Sequence, residues 1–170
     1  MIIVLGFDNT GKSTLSHTIA KDFDRKVINS LGPVPKSKQV EFMIESIKNE
    51  GLHERFPLFE ELVYGPILRE ESNFSLDDPI ALKLKLKEPT IVYCRPPRDI
   101  ILNWGQREQM DGVIEGSIAL LNAWDELMFQ LIADGWTVLP YNWTEDGAYN
   151  QLKENIKTEL LWKSLLLEDE

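Results

Sequence analysis

The opening 23 residues constrain the fold more than any others, because they set an apolar strand, a glycine loop and a helix in succession. Ile2-Ile3-Val4-Leu5 is short, apolar and largely β-branched, as a strand buried on both faces of a parallel sheet should be. Gly6-Phe7-Asp8-Asn9-Thr10-Gly11-Lys12-Ser13 follows at once and fits the pattern G-x-x-x-x-G-K-[ST]. Leu15, Ile19 and Phe23 then recur at helical spacing. The glycines let backbone N–H groups turn inward around phosphate oxygens. A helix starting at Ser13 adds unpaired N–H groups and the positive end of its dipole. Gly6, Asn9, Thr10, Gly11, Lys12, Ser13 and Thr14 are therefore the candidates to cradle the phosphates of ATP. Lys12 should reach the terminal phosphates and the Ser13 hydroxyl should sit on Mg²⁺.

Alternation continues along the chain. Lys26–Ser30 reads as a second strand ending at Gly32-Pro33. A helix opens near Pro35 and Ser37 and runs to about Asn49, with Val40, Met43, Ile44 and Ile47 on one face and Gly51 as its cap. Pro57 to about Arg69 is helical, with Leu58, Leu62 and Tyr64 inward. Asp77-Asp78-Pro79 starts another helix, through Leu86. Thr90-Ile91-Val92-Tyr93-Cys94 is the clearest interior strand, bounded by prolines. Ile114, Ile118, Leu121, Met128, Leu131 and Ile132 mark a long amphipathic helix ended by Gly135. Trp136–Pro140 forms a last strand, and Ala148 to about Leu167 a terminal helix. This is an α/β pattern, a P-loop NTPase-type parallel sheet with helices on both faces. Ligands then bind beyond the carboxyl ends of the strands.

With 170 residues, 43% apolar and 27% charged, the chain suits a single globular domain, 1–170. The net charge of −10 repels polyanions, which disfavours nucleic acid and favours small nucleotides met by local cations. Apolar runs are too short to span a bilayer, and no signal-peptide pattern opens the chain. The lone Cys94 excludes an internal disulfide, and no Cys/His cluster suggests a metal centre. A cytoplasmic location is the expectation, with a homodimer left open.

On these residues the chain resembles the thymidylate kinases and related deoxynucleoside monophosphate kinases, some of which occur in bacteriophages. Gly6 to Leu15 looks like the family's G-x-D-x-x-G-K-[ST]-T opening, in the loop at 6–14. The resemblance implies that Asp8 contacts the sugar hydroxyl of an acceptor nucleotide. Glu54-Arg55-Phe56-Pro57, with Tyr64-Gly65-Pro66 downstream, looks like the D-R-[YFH] motif of an acceptor region at about 52–70. It makes Arg55 the grip on the acceptor phosphate, and a bidentate guanidinium suits that task. Gln106-Arg107-Glu108-Gln109 falls where the family's arginine-bearing lid lies, at about 98–113. Arg107 or Arg98 would close over the transferring group, with Arg95 a further candidate.

Phe56, Tyr64 and Arg69 flank the implied acceptor pocket and could stack on or bond a base, although both rings would serve equally well in a core. Glu54 is the candidate to reach Mg²⁺ through a water. The adenine of ATP should lie near Asn142 to Thr144, while His17 and His53 carry no partner pattern. The implied function is ATP-dependent phosphoryl transfer to a nucleoside monophosphate, of the pyrimidine deoxynucleotide type. Two departures keep other readings open. Glu50-Gly51-Leu52-His53 makes a weak third strand, and Glu54-Arg55 in place of Asp-Arg is typical of deoxynucleoside kinases. A nucleotide-binding regulator is the third reading. It lacks an N-K-x-D motif, and the strand ending at Cys94 leads into Arg95 rather than an acid.

Overall fold

The computed structural model describes residues 1–32, 34–49, 51–103 and 111–167. Its elements run β1 (Ile2–Leu5), α1 (Lys12–Asp22), β2 (Val27–Asn29), α2 (Lys36–Lys48), β3 (Leu52–Glu54), α3 (Pro57–Leu68), α4 (Pro79–Lys85), β4 (Thr90–Cys94), α5 (Arg98–Ile101), α6 (Ser117–Ala133), β5 (Thr137–Tyr141) and α7 (Ala148–Leu167). The five strands form one sheet in the order β2-β3-β1-β4-β5. Every pairing is parallel, with Ile3 level with His53 on one side and Ile91 on the other. The chain leaves β1 for strands on one side of it and later returns to its other side, so the crevice at the end of β1 is a topological switch point.

Strand alternation divides the core in two. Ile3 and Leu5 of β1, with Ile91 and Tyr93 of β4, pack against Met43, Phe56, Phe59, Trp124 and Leu131. Ile2, Val4, Val92 and Cys94 face the other way, onto Leu15, Ile19, Leu152 and Ile156. Helices therefore cover both faces, and all four residues of β1 are buried. Among the described residues no helix is long and apolar enough to cross a membrane.

The short third strand is there, three residues long. Two helix faces differ from their sequence pattern. In α6 the buried stripe is Leu120, Leu121, Trp124, Leu127, Met128 and Leu131, centred on an indole that is wholly enclosed. Ile118 and Ile132 flank that stripe and are exposed, and Ile114 lies in the turn before the helix. In α2 Met43 faces in, but Ile44 is exposed and the polar Gln39 and Ser46 are buried in its place. Gly51 is no helix cap. The helix ends at Asn49 in extended backbone, and a Cβ on Gly51 would lie 2.5 Å from Ile28 Cδ1 in β2. Gly135 does cap α6, at φ +81°, with its N–H on Ile132 O (3.0 Å) and the Trp136 N–H on Leu131 O (2.9 Å).

His53 is a core residue rather than an incidental one. Its ring is fully buried, edge-on to Phe42 and Phe56, and neither nitrogen finds a hydrogen-bond partner among the described residues. Burial, helped by the positive chain terminus, pushes its pKa from 6.5 down to about 4. The unfolded chain thus takes up this proton first, so the contribution to stability is complete above pH 6.5 and is lost as pH falls toward 4. Between pH 6.5 and 5 the loss should be about 2 kcal/mol. Urea titrations of the parent and of His53→Leu at both pH values should show the parent alone carrying this loss. Equal slopes for the two proteins would mean that the ring is charged or solvated in the fold.

Candidate functional site

The site lies at the carboxyl ends of β1, β3 and β4. Gly6 leaves β1 at φ +141°, and a Cβ there would come within 2.6 Å of Cys94 O on β4, so only glycine passes. Asn9 (φ +64°) and Gly11 (φ +86°) complete the loop in left-handed backbone. The Thr10 hydroxyl donates to Phe7 O across the loop at 2.8 Å. Lys12 opens α1 and is buried, its Nζ donating to Phe7 O at 2.6 Å. Burial, then the like charge of Arg55, lowers its pKa to about 8 against the pull of Asp8 and Glu60.

A cavity of about 310 Å³ opens above this loop, lined by Asn9 to Thr14, Arg55 and Trp143. Asn9 also braces the loop. Its amide donates to Ile100 O (3.2 Å), Ile101 O (3.0 Å) and Asn103 O (3.3 Å), fastening the loop to the end of α5. Ser13 Oγ donates to Glu54 Oε1. These two hard oxygens fit a magnesium ion that takes its remaining ligands from water and nucleotide phosphates. Among the described residues no group of three or more His, Cys, Asp or Glu could hold a metal unaided.

A second cavity, of about 610 Å³, adjoins the first and is lined by Asp8, Glu60, Glu61, Tyr64, Arg69 and others. Among the described residues Arg55 is the one that lines both. It sits just past β3 at φ +67°, in left-handed backbone. Its guanidinium donates to Asp8 and, at 3.0 Å, to Glu60 Oε1. Tyr64 Oη donates to the other Asp8 oxygen at 2.9 Å. Burial alone would raise Asp8, but Arg55, Lys12 and these hydrogen bonds hold it below the usual carboxylate range. Burial raises Glu60, with Arg55 opposing.

The remaining sequence candidates divide. Phe56 is enclosed in the core beside His53 and Phe59 and does not line the second cavity. Arg69 lines it but is held by Glu61. Arg95 makes a two-point bond to Asp125 of α6 (2.7 and 2.9 Å), and Arg98 donates to Asn122 at 2.6 Å, so both arginines point toward α6. Arg107 and the Gln106–Gln109 motif lie outside the described residues. Cys94, raised to about 12 by burial, is no nucleophile. Trp143, within the stretch expected beside the adenine, lines the first cavity, and two acids that the sequence pattern had not singled out, Glu60 and Glu61, line the second. Trp143, just past β5, lies over the loop, where a Cβ on Gly11 would meet its Nε1 at 3.2 Å. Glu60 and Glu61 come from the first turns of α3. An acid there reads as ordinary helix-end charge, and only the fold shows which cation it meets.

The comparisons with known proteins agree on the architecture. No protein-family model matches the chain, and no curated protein does. Among solved structures it is similar to the YorR protein from Bacillus subtilis in complex with phosphorylated GDP, with TM-score 0.73 and 18% identity over 96% of each chain. It is also similar to deoxyadenosine kinase from M. mycoides with bound dCTP, with TM-score 0.58 and 18% identity over 94% of this chain and 98% of that one. Thymidylate kinase from Candida albicans gives TM-score 0.58 and 12% identity over 93% and 91%. The fold, a five-stranded all-parallel sheet with helices on both faces, is shared with these structures. At these identities the likeness is one of fold, and the activity has to be argued from the site.

Glu61 joins three segments, accepting from Gln39 of α2 (3.0 Å), Asn73 (3.1 Å) and Arg69. Glu61→Ala would strand the buried Gln39 amide and is expected to cost roughly 2–3 kcal/mol in chemical denaturation. Glu61→Gln should recover part of it. A loss below about 0.5 kcal/mol, the scale of an ordinary surface substitution, would mean that water replaces these bonds.

Proposed function

We propose that this chain is a kinase that transfers the terminal phosphoryl group of ATP to a nucleoside-type acceptor. The observation that carries the reading is Arg55, a guanidinium common to the phosphate-loop cavity and to the larger cavity beside it. Phosphoryl transfer needs two substrates brought end to end with charge neutralised where they meet. The loop N–H groups and Lys12 would hold the triphosphate in the first cavity, and the acceptor would occupy the second. Lys12 would exchange Phe7 O for a phosphate oxygen and regain full charge. Ser13 and Glu54 would hold Mg²⁺, whose chemistry is to neutralise the β- and γ-phosphates. Trp143 roofs the loop and would limit access of water. Fold neighbours named as kinases of deoxyadenosine and thymidylate support the same reading.

Two acceptors suit this arrangement. The resemblance implies the monophosphate of a pyrimidine deoxynucleoside, with Asp8 on a sugar hydroxyl and Arg55 on the phosphate. That phosphate would have to compete with Asp8 and Glu60 for Arg55. The other is an unphosphorylated nucleoside, favoured by those same carboxylates.

The catalytic reading stands on Lys12. Lys12→Ala is expected to lower turnover by about 10²–10³, the usual effect of losing one preorganised charge contact to the transition state. Circular dichroism should show the fold unchanged. A variant that kept most of its ADP production would remove the basis for the kinase assignment.

A further inference from the structure

Resting on the kinase reading, we infer that the acceptor presents a neutral hydroxyl, as an unphosphorylated nucleoside does, rather than a phosphate. The described lining of the acceptor cavity carries four carboxylates, Asp8, Glu60, Glu61 and Asp111, against two guanidiniums, Arg55 and Arg69. Neither guanidinium is unengaged. Arg55 is held by Asp8 and Glu60, and Arg69 by Glu61. A phosphate dianion entering here would have to draw Arg55 off two carboxylates and would leave both facing it. The Asp8, Glu60 and Glu61 side chains are largely shielded from bulk water, so their repulsion is screened less than that of surface charges.

A hydroxyl acceptor requires none of this. Ionised carboxylates only accept hydrogen bonds, and each has several lone-pair positions to offer. Asp8 uses one oxygen for Arg55 and the other for Tyr64, which leaves lone pairs on both for sugar hydroxyls. Glu60 offers its second oxygen. In the transfer, the acceptor O–H bond breaks as its oxygen bonds to the γ-phosphorus. The bond from that phosphorus to the β,γ-bridging oxygen breaks, and ADP leaves. The proton passes to Glu60, a carboxylate that lines the same cavity with one oxygen still open.

The test offers the whole chain Mg·ATP with thymidine, deoxycytidine, deoxyadenosine or deoxyguanosine, each beside its 5′-monophosphate, and scores ADP and phosphorylated product. At least one nucleoside should exceed its own monophosphate by more than tenfold in kcat/KM. Equal use of both, or preference for the monophosphates, overturns the inference and leaves the kinase reading standing. Product from no acceptor overturns both. Glu60→Gln provides the second arm. Removing one carboxylate charge should shift the nucleoside-to-monophosphate ratio of kcat/KM toward the monophosphate by about tenfold. A merely structural role for Glu60 would lower both substrates alike and leave the ratio where it was, which also counts against the inference.

Discussion

A single guanidinium, Arg55, holds together the parts of this molecule that matter for chemistry. It stands where β3 ends, between Asp8 from the loop after β1 and Glu60 from α3. The loop after β1 thus meets the end of β3 and the first turn of α3 on one charge. Its partners are mostly shielded from water, so the interaction is stronger than a surface pair, and loss of Arg55 would leave two shielded carboxylates facing each other uncompensated. Arg55 sits in left-handed backbone, an uncommon conformation for a residue other than glycine.

The sheet explains why that meeting point is also a cleft. β1 is central, with β3 and β4 on either side, and its carboxyl end is where the chain's crossovers diverge. Gly6 lets the loop turn directly against Cys94 O. Asn9 then anchors the loop to the end of α5, so the loop is braced from the β4 side as well as by α1. On the β4 side Arg95, Tyr93 and Asp125 form a separate network that ties the strand to α6. The arginines therefore do different work according to the carboxylate within reach, a distinction that depends on the fold.

Local patterns in the sequence carried over where the physics is local. The strand-loop-helix unit of 2–22, the strand Thr90–Cys94 and the proline start of α4 follow from β-branched runs, glycine and capping residues. What was illegible depended on tertiary partners. Ile118 and Ile132 look as buried as Leu121 by spacing, yet Trp124 sets the centre of the α6 stripe and leaves them outside. Gly51 sits where a cap glycine would, but a neighbouring strand requires it. Phe56 follows the motif arginine in sequence, yet its ring is buried in the core with His53 and Phe59 while Arg55 lines both cavities. The pairing of Arg55 with Glu60 and of Arg69 with Glu61 could not be read from a chain in which acids outnumber bases by 28 to 18.

The central claim is that Arg55 marks the junction between a donor and an acceptor bound end to end. A crystal structure with a bisubstrate analogue, adenosine joined through an oligophosphate to a nucleoside, tests it most directly. The account predicts the adenosine end beside Trp143, the phosphates running over Lys12 and past Arg55, and the second nucleoside against Asp8, Glu60 and Tyr64. A second nucleoside left in solvent, or lodged away from the Asp8–Tyr64 cavity, would contradict it.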